Sequence, residues 1–504
     1  MLCIFAKSFN RKINEFEGFD LRYMEKAVKN SEEIFKFIAA TIIVMTIKFW
    51  NRERELELLN RVEKPFLSII YGRRRIGKTR LVLEFAKGKE HIYFFVNPKK
   101  SENLLLQEFS SLLGRKLGIP YVHPRNWDEF FELLFKYRGI VIFDEFQKFL
   151  EINPEVPFIL QKYWDTHREK PTIILTGSVI GMVKKLFLES GSPLFKRAEI
   201  IIHLKELSPK SVFETLSELG VKDVEEKFRF YLLFGGVPYF YSLMLKYRIK
   251  DVNSAIRELV VDEFAPLRNE VEEVLIEAFK KEYSTYLSIL YAIAGGKTKL
   301  SEIAGTAGIR VTSLPYYLKD LTDLLGIVER HRGLKMKSFY EISDRFYNFW
   351  CRFIYKYSST ENREELYKKI LENLSTFFGW SFEKTVRENI LSLFKNFQRA
   401  FKYYGCYRKS GKREAFDIDV VALNEKSKEI LFAECKWKEK INARKVAKEL
   451  AEKSQYVQWH NAERRESFAI FAKSFSKRIN EFEGKKVYCF DLRDMKKLFE
   501  KRFK

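Results

Sequence analysis

The sequence predicts a multidomain α/β protein with a parallel-sheet module toward its N-terminus, a helical middle and a second α/β module at the C-terminus. Three observations predict it. The 504 residues exceed what one ordinary core accommodates. A glycine-rich phosphate loop at residues 72–79 sits between a short apolar run and a helical stretch, and similar apolar runs alternate with helices to about residue 204. Residues 417–437 read as two consecutive apolar strands that carry carboxylates and a lysine.

Composition narrows the class. Hydrophobic residues make up 46%, enough for large cores and against global disorder. The formal net charge is +23, which favours anionic partners such as DNA; a Lys-rich, solvated surface is the rival reading. Residues 361–504 hold 34 Lys+Arg against 22 Asp+Glu, a net +12 and over half the total, so a DNA-facing module is sought there. The five cysteines, Cys3, Cys351, Cys406, Cys435 and Cys489, contain no CxxC pair. Neither a zinc site nor a disulfide framework follows, and a cytoplasmic location fits best. The longest apolar run, residues 37–47, lies between Lys36 and Lys48 and is too short for a membrane span, so no membrane partner is expected.

The chain nearly repeats itself at its two ends. Residues 4–18 read IFAKSFNRKINEFEG and residues 470–484 read IFAKSFSKRINEFEG. FDLRYMEK follows from Phe19 and FDLRDMKK from Phe490, but the first copy lacks the intervening residues 485–489. The second copy is expected as a strand over 468–472, a helix over 476–482 and a strand over 487–492. The first has lost most of that last strand, so residues 1–44 are expected to be a remnant, with Met45 as the functional start. A true second copy that pairs with the C-terminal module is the rival.

The nucleotide module is expected over residues 45–210. Residues 66–71, FLSIIY, suit a buried parallel strand. They feed Gly72, Arg73, Arg74, Arg75, Ile76, Gly77, Lys78 and Thr79, a full GxxxxGK[ST] match expected to hold ATP. The glycines let backbone N–H groups wrap a phosphate, Lys78 reaches the β/γ-phosphates, and the Thr79 hydroxyl binds Mg²⁺. The helix over 80–87 points its positive end at the anion. Residues 140–145, IVIFDE, end a strand in two carboxylates. Asp144 is expected on Mg²⁺, and Glu145 as the general base that orients water. Further strands are expected at 91–96, 172–175 and 199–204. Thr176 or Ser178 either senses the γ-phosphate or caps a helix. Arg197 is either a finger reaching a neighbouring protomer, which implies a homo-oligomer, or an ordinary surface residue. The FGGVP turn at 234–238 lies over the adenine or simply joins two helices.

YGRRRIGKTRL, IVIFDEFQ, LTGS and GGVP, in that order, resemble the archaeal ATPase family, related to the AAA+ and STAND groups of P-loop NTPases. The likeness continues through DEFAPL from Asp262 and YEISDRFYNFW from Tyr340, so it spans most of the chain from about residue 46. It implies a P-loop ATPase core with a helical lid over 211–280.

Residues 281–360 read as a winged-helix connector. A helix over 300–304 is followed by one that Thr312 caps, with Pro315 in its first turn and Leu318, Leu321, Leu324 and Leu325 as its buried stripe. A hairpin-like wing follows Gly326. Lys319 is the only cation of the presumed recognition helix, opposed by Asp320 and Asp323, which weighs toward packing rather than base reading.

In residues 361–504, Asp419 followed by Glu434-Cys435-Lys436 resembles the PD-(D/E)xK restriction-endonuclease-like superfamily. Asp419 and Glu434 on adjacent strands suit a shared Mg²⁺ that activates water. Lys436, two residues from Glu434, shares its strand face and offsets developing charge. Asp417 competes with Asp419 as the ligand, and the likeness implies that Glu383, on the preceding helix, adds a carboxylate. The expected function is an ATPase whose nucleotide state controls a DNA-directed nuclease-like domain. The rival is a non-cleaving signalling or DNA-binding switch.

Overall fold

The computed structural model describes residues 51–501 apart from residues 120, 188, 332–333, 335–337, 358–361 and 410–411. The expectations for residues 1–44 and Met45 lie outside the described residues. β1 (Leu67–Tyr71), β2 (His91–Phe95), β3 (Ile140–Asp144), β4 (Thr172–Gly177) and β5 (Ile200–His203) form one parallel sheet in the order β2-β3-β4-β1-β5. β1, β3 and β4 are buried along their whole length, which is why they read as continuous apolar runs. Each expected strand is present to within about two residues. The helix after the phosphate loop starts earlier than expected, at Lys78 rather than residue 80. Phe94, Phe109, Phe130 and Phe143 stack beneath the sheet and hold the C-terminal ends of β2 and β3 side by side.

Residues 207–350 are mainly helical. The FGGVP turn joins the helices Val224–Phe234 and Pro238–Tyr247, and Gly236 lies directly on the Leu207 backbone. Helices Tyr283–Ala294, Leu300–Ala307 and Leu314–Lys319 lead into a wider turn over Asp320–Leu324 and a two-stranded hairpin, β6 (Val328–His331) with β7 (Phe339–Ile342). The Leu314 helix follows Ser313 and has no side-chain cap, so the expected Thr312 cap is not made. Leu318 and Leu321 are buried, whereas Leu324 and Leu325 are half-buried.

The 31-residue helix Arg363–Leu393 leads to a six-stranded mixed sheet. β8 (Arg399–Lys409), β9 (Lys412–Asn424) and β10 (Glu429–Lys436) are antiparallel neighbours, and β12 (Arg465–Ala472) and β15 (Lys485–Phe490) continue parallel to β10. The long helix packs on one face through Phe382 and Val386, and the helix Ala443–Ser454 packs on the other through Val446 and Leu450. One continuous apolar core runs from Leu207 to Phe499, so the helical middle and the C-terminal module share a single interior.

The helix expected over 476–482 is not formed. Phe475–Lys477 is a short strand, β13, paired with β11 (Ile441–Asn442), and Glu481–Phe482 is a second, β14, folded back on β15. Glu483 and Gly484 both have positive φ (49° and 73°), the conformation of a tight hairpin turn. Arg478 is held by Asp491 and Asp494 rather than by a helical neighbour.

Candidate functional site

The phosphate loop leaves β1 at Gly72, where any Cβ would lie 2.4 Å from the Leu204 carbonyl. Arg75 (φ 65°) and Gly77 (φ 95°) take left-handed conformations that curl the loop, and no heavy atom lies within 4 Å of the place a Gly77 Cβ would take. Lys78 opens the helix and is buried; its ammonium donates to Gly72 O at 2.9 Å and Arg73 O at 3.1 Å. Burial lowers its pKa, opposed by Glu145 and Asp144.

Asp144, at the end of β3, accepts from three hydroxyls. Thr79 Oγ1 (2.7 Å) and Tyr93 Oη (2.6 Å) donate to Oδ2, and Thr176 Oγ1 donates to Oδ1. Burial and Asp144 together push the Tyr93 phenol far above its ordinary range, so it stays a donor. Glu145 has a left-handed backbone (φ 60°), and its Oε2 accepts from Gln147 Nε2 and Ser178 Oγ, both at 2.5 Å. Thr176 and Ser178 thus touch the two carboxylates of β3. Arg197 is held in a two-pronged pair by Asp165.

The phosphate-loop side chains turn away from the loop. Ile76 is buried. Arg73 pairs with Glu206 (2.8 Å) and Asp344, Arg74 with Glu277 (2.7 Å), and Arg75 with Glu270 while lying 4.0 Å from the Tyr239 ring centre. Burial raises the Glu270 carboxyl to about 7 despite Arg75. Arg52, itself buried, braces the loop through Ile76 O (3.2 Å) and Lys205 O (2.7 Å). Arg52 and Tyr93 are not legible as site residues, because no spacing rule marks a partner that far away in sequence, and Gln147 stands in the IVIFDEFQ motif without a role assigned from sequence.

The second cluster lies where β9 and β10 part. Their pairing ends at Val420 with Ala433, and beyond that point the Asp419 carboxylate takes the Cys435 N–H at 2.8 Å. The β8–β9 register shifts by one residue between Phe401 and Tyr403, opposite Asp419 and Val420. Such a bulge re-aims the side chains it carries. Asp419 and Glu434 are both buried, whereas the Asp417 side chain is 46% exposed. Glu434 Oε1 accepts from Lys436 (2.7 Å) and Lys453 (3.4 Å), while its Oε2 is buried and has no partner. Burial, with Glu434 and Glu383 adding repulsion, raises the Asp419 carboxyl to about 8. Lys402 reaches Glu383 (2.8 Å), Asp417 (3.1 Å) and Asp419 (3.8 Å). Lys402 and Lys453 carry no sequence signal, since each is one of several cations in its strand or helix. Among the described residues, no three His, Cys, Asp or Glu side chains converge as a metal site, and no helix is long and apolar enough to cross a membrane.

Comparison with known proteins agrees with this division. Residues 49–243 match a family described as an ATPase domain predominantly from Archaea. Residues 350–448 match a family described as Archaea bacterial proteins of unknown function. An uncharacterized protein of Methanocaldococcus jannaschii is 31% identical over 472 residues, 88% of this chain and 99% of its own length. An uncharacterized ATP-binding protein of the same organism is 47% identical over 47 residues, 9% of this chain and 80% of its own length. A Walker-type ATPase of Pyrococcus abyssi superposes with a TM-score of 0.48 at 20% identity, over 60% of this chain and 96% of that one. The chain belongs to the family of that long relative, and it carries an ATP-binding, P-loop ATPase domain of the archaeal kind over residues 49–243 ahead of a β-rich C-terminal region.

Proposed function

We propose that this protein is a Mg²⁺-dependent ATPase whose nucleotide state controls a DNA-directed, nuclease-like site at Asp419, Glu434 and Lys436. The observation that carries the reading is a relay of ion pairs that ties the phosphate loop and the second cluster to one long helix. Arg73 of the phosphate loop grips Asp344, which caps the helix Arg345–Trp350 by accepting from Tyr347 N at 2.9 Å. Its neighbour Arg345 is buried and pairs with Glu388 (2.5 Å) and Thr385 (3.1 Å) on the long helix Arg363–Leu393. Five residues before Glu388 on that helix, Glu383 holds Lys402, and Lys402 faces Asp419.

Residue types fit the groups invoked. With their side chains committed to acids or the core, Arg73, Arg74, Arg75 and Ile76 offer a phosphate their backbone N–H groups, and Lys78 offers its ammonium. Thr79 and Asp144 provide hard oxygen donors suited to Mg²⁺. The bound metal would neutralise phosphate charge. Glu145, aimed by Ser178 and Gln147, would take the proton of the attacking water. At the second site, Asp419 and the unpartnered Glu434 Oε2 offer a divalent cation two oxygen ligands, with Lys436 beside them.

One observation favours the non-cleaving switch. In the winged-helix reading of the connector, the end of the recognition helix packs against the nucleotide module: the Leu324 Cα lies 2.8 Å from where a Gly181 Cβ would sit. That surface is used for packing rather than DNA reading. Mg²⁺-dependent nicking of supercoiled plasmid, with and without ATP, separates the two. The wild type is expected to nick and a Glu434→Ala/Lys436→Ala variant to fall to background. Equal residual nicking by both would leave the switch reading.

A further inference from the structure

The C-terminal cluster holds more acid than one cation needs. Four carboxylates, Glu383, Asp417, Asp419 and Glu434, stand in one neighbourhood, and Asp419 lies between the other acids. On one side, Glu434 Oε2 is buried without a partner. On the other, three carboxylates face a single point, and the Lys402 ammonium stands at that point, within 3.8 Å of all three. The buried Asp419 carboxylate in particular requires a compensating cation. Two positions are therefore defined, one filled by the chain itself and one that leaves a buried oxygen unmet.

We infer that Lys402 is a built-in cation that occupies the second of two carboxylate-lined positions, so that the C-terminal site takes one divalent metal rather than a metal pair. This rests on the reading of Asp419 and Glu434 as cation ligands. Without Lys402, Glu383, Asp417 and Asp419 face one another unscreened. The register shift in β9 opposite Lys402 places it there, and its reach to Glu383 ties the position to the long helix. Glu383, Asp417 and Asp419 stand 2.8–3.8 Å from the ammonium, so drawing them onto a metal at about 2.1 Å requires removing the lysine. Lys402 is thus a positioning residue, acting through Asp419.

The test is Mn²⁺ binding to the full-length protein without nucleotide, by calorimetric titration at pH 8 with electron paramagnetic resonance of bound Mn²⁺. The wild type, Lys402→Met, Lys402→Arg and Glu434→Gln are compared, each checked by circular dichroism. The wild type is expected to bind one more Mn²⁺ than Glu434→Gln. Lys402→Met is expected to bind one more than the wild type and to show spin–spin broadening from a close pair, while Lys402→Arg matches the wild type. If Lys402→Met folds and its stoichiometry is unchanged, or if the wild type already shows a broadened pair, Lys402 is not a stand-in cation. If Glu434→Gln binds as many ions as the wild type, the ligand reading itself fails, and the inference with it. Should Lys402→Met not fold, Lys402→Gln is read by the same criteria.

Discussion

At the scale of single residues, the nucleotide site is a set of hydroxyls and carboxylates that orient one another. Asp144 is oriented by Thr79, Tyr93 and Thr176, and Glu145 by Gln147 and Ser178. Lys78→Ala is expected to abolish binding of a fluorescent ATP analogue. Glu145→Gln is expected to bind it normally and lose at least a hundredfold in phosphate release, in line with general-base contributions of about 10²–10⁴. Normal turnover by Glu145→Gln would remove the base assignment. Glu270 carries a pH effect of defined sign. Its carboxyl is raised to about 7 when folded, so the native state holds that proton more tightly than the unfolded chain. Stability from this group is complete below about 4.5 and is lost as pH rises to about 7, by at most about 3 kcal/mol. Melting temperature followed from pH 5 to 7.5 should fall less steeply for Glu270→Gln than for the wild type.

At the scale of elements, the junctions are where the chain has no spare volume. The FGGVP turn is a helix–helix joint: a Cβ at Gly236 would lie 2.1 Å from Leu207 O, and Gly236 N–H donates to Glu206, the acid that also holds Arg73. Gly236→Ala is expected to cost about 1–3 kcal/mol through overpacking. In urea melts the midpoint should drop, and an unchanged midpoint would mean the joint is softer than its geometry. The strands of the nucleotide module were legible because a buried parallel strand announces itself as an uninterrupted apolar run. Residues 476–482 were misread as a helix for the converse reason. β13 is specified by β11, some thirty residues earlier, and β14 by a turn at Glu483 and Gly484, and neither leaves a periodic trace in that segment.

At the scale of the whole molecule, one core from Leu207 to Phe499 packs the helical middle and the C-terminal sheet around a single interior. The three phosphate-loop arginines bind that body to the nucleotide site through Glu206, Asp344, Glu277 and Glu270. ATP is therefore expected to change amide hydrogen exchange in residues 363–393 and 399–436 as well as around the loop. Asp344→Ala should retain ATP binding within about threefold and lose the distant change. A distant response that survives in Asp344→Ala would show that coupling does not pass through Arg73.

The sequence by itself determined the phosphate loop and the strand that presents Asp144 and Glu145, because each is written in contiguous residues with fixed spacing. Only the tertiary structure decided which charges neutralise which. Lys402 among Glu383, Asp417 and Asp419, and Arg73 on Asp344, join residues up to 271 positions apart. Coulombic compensation of buried charge depends on distance in space, which local spacing in a chain does not encode.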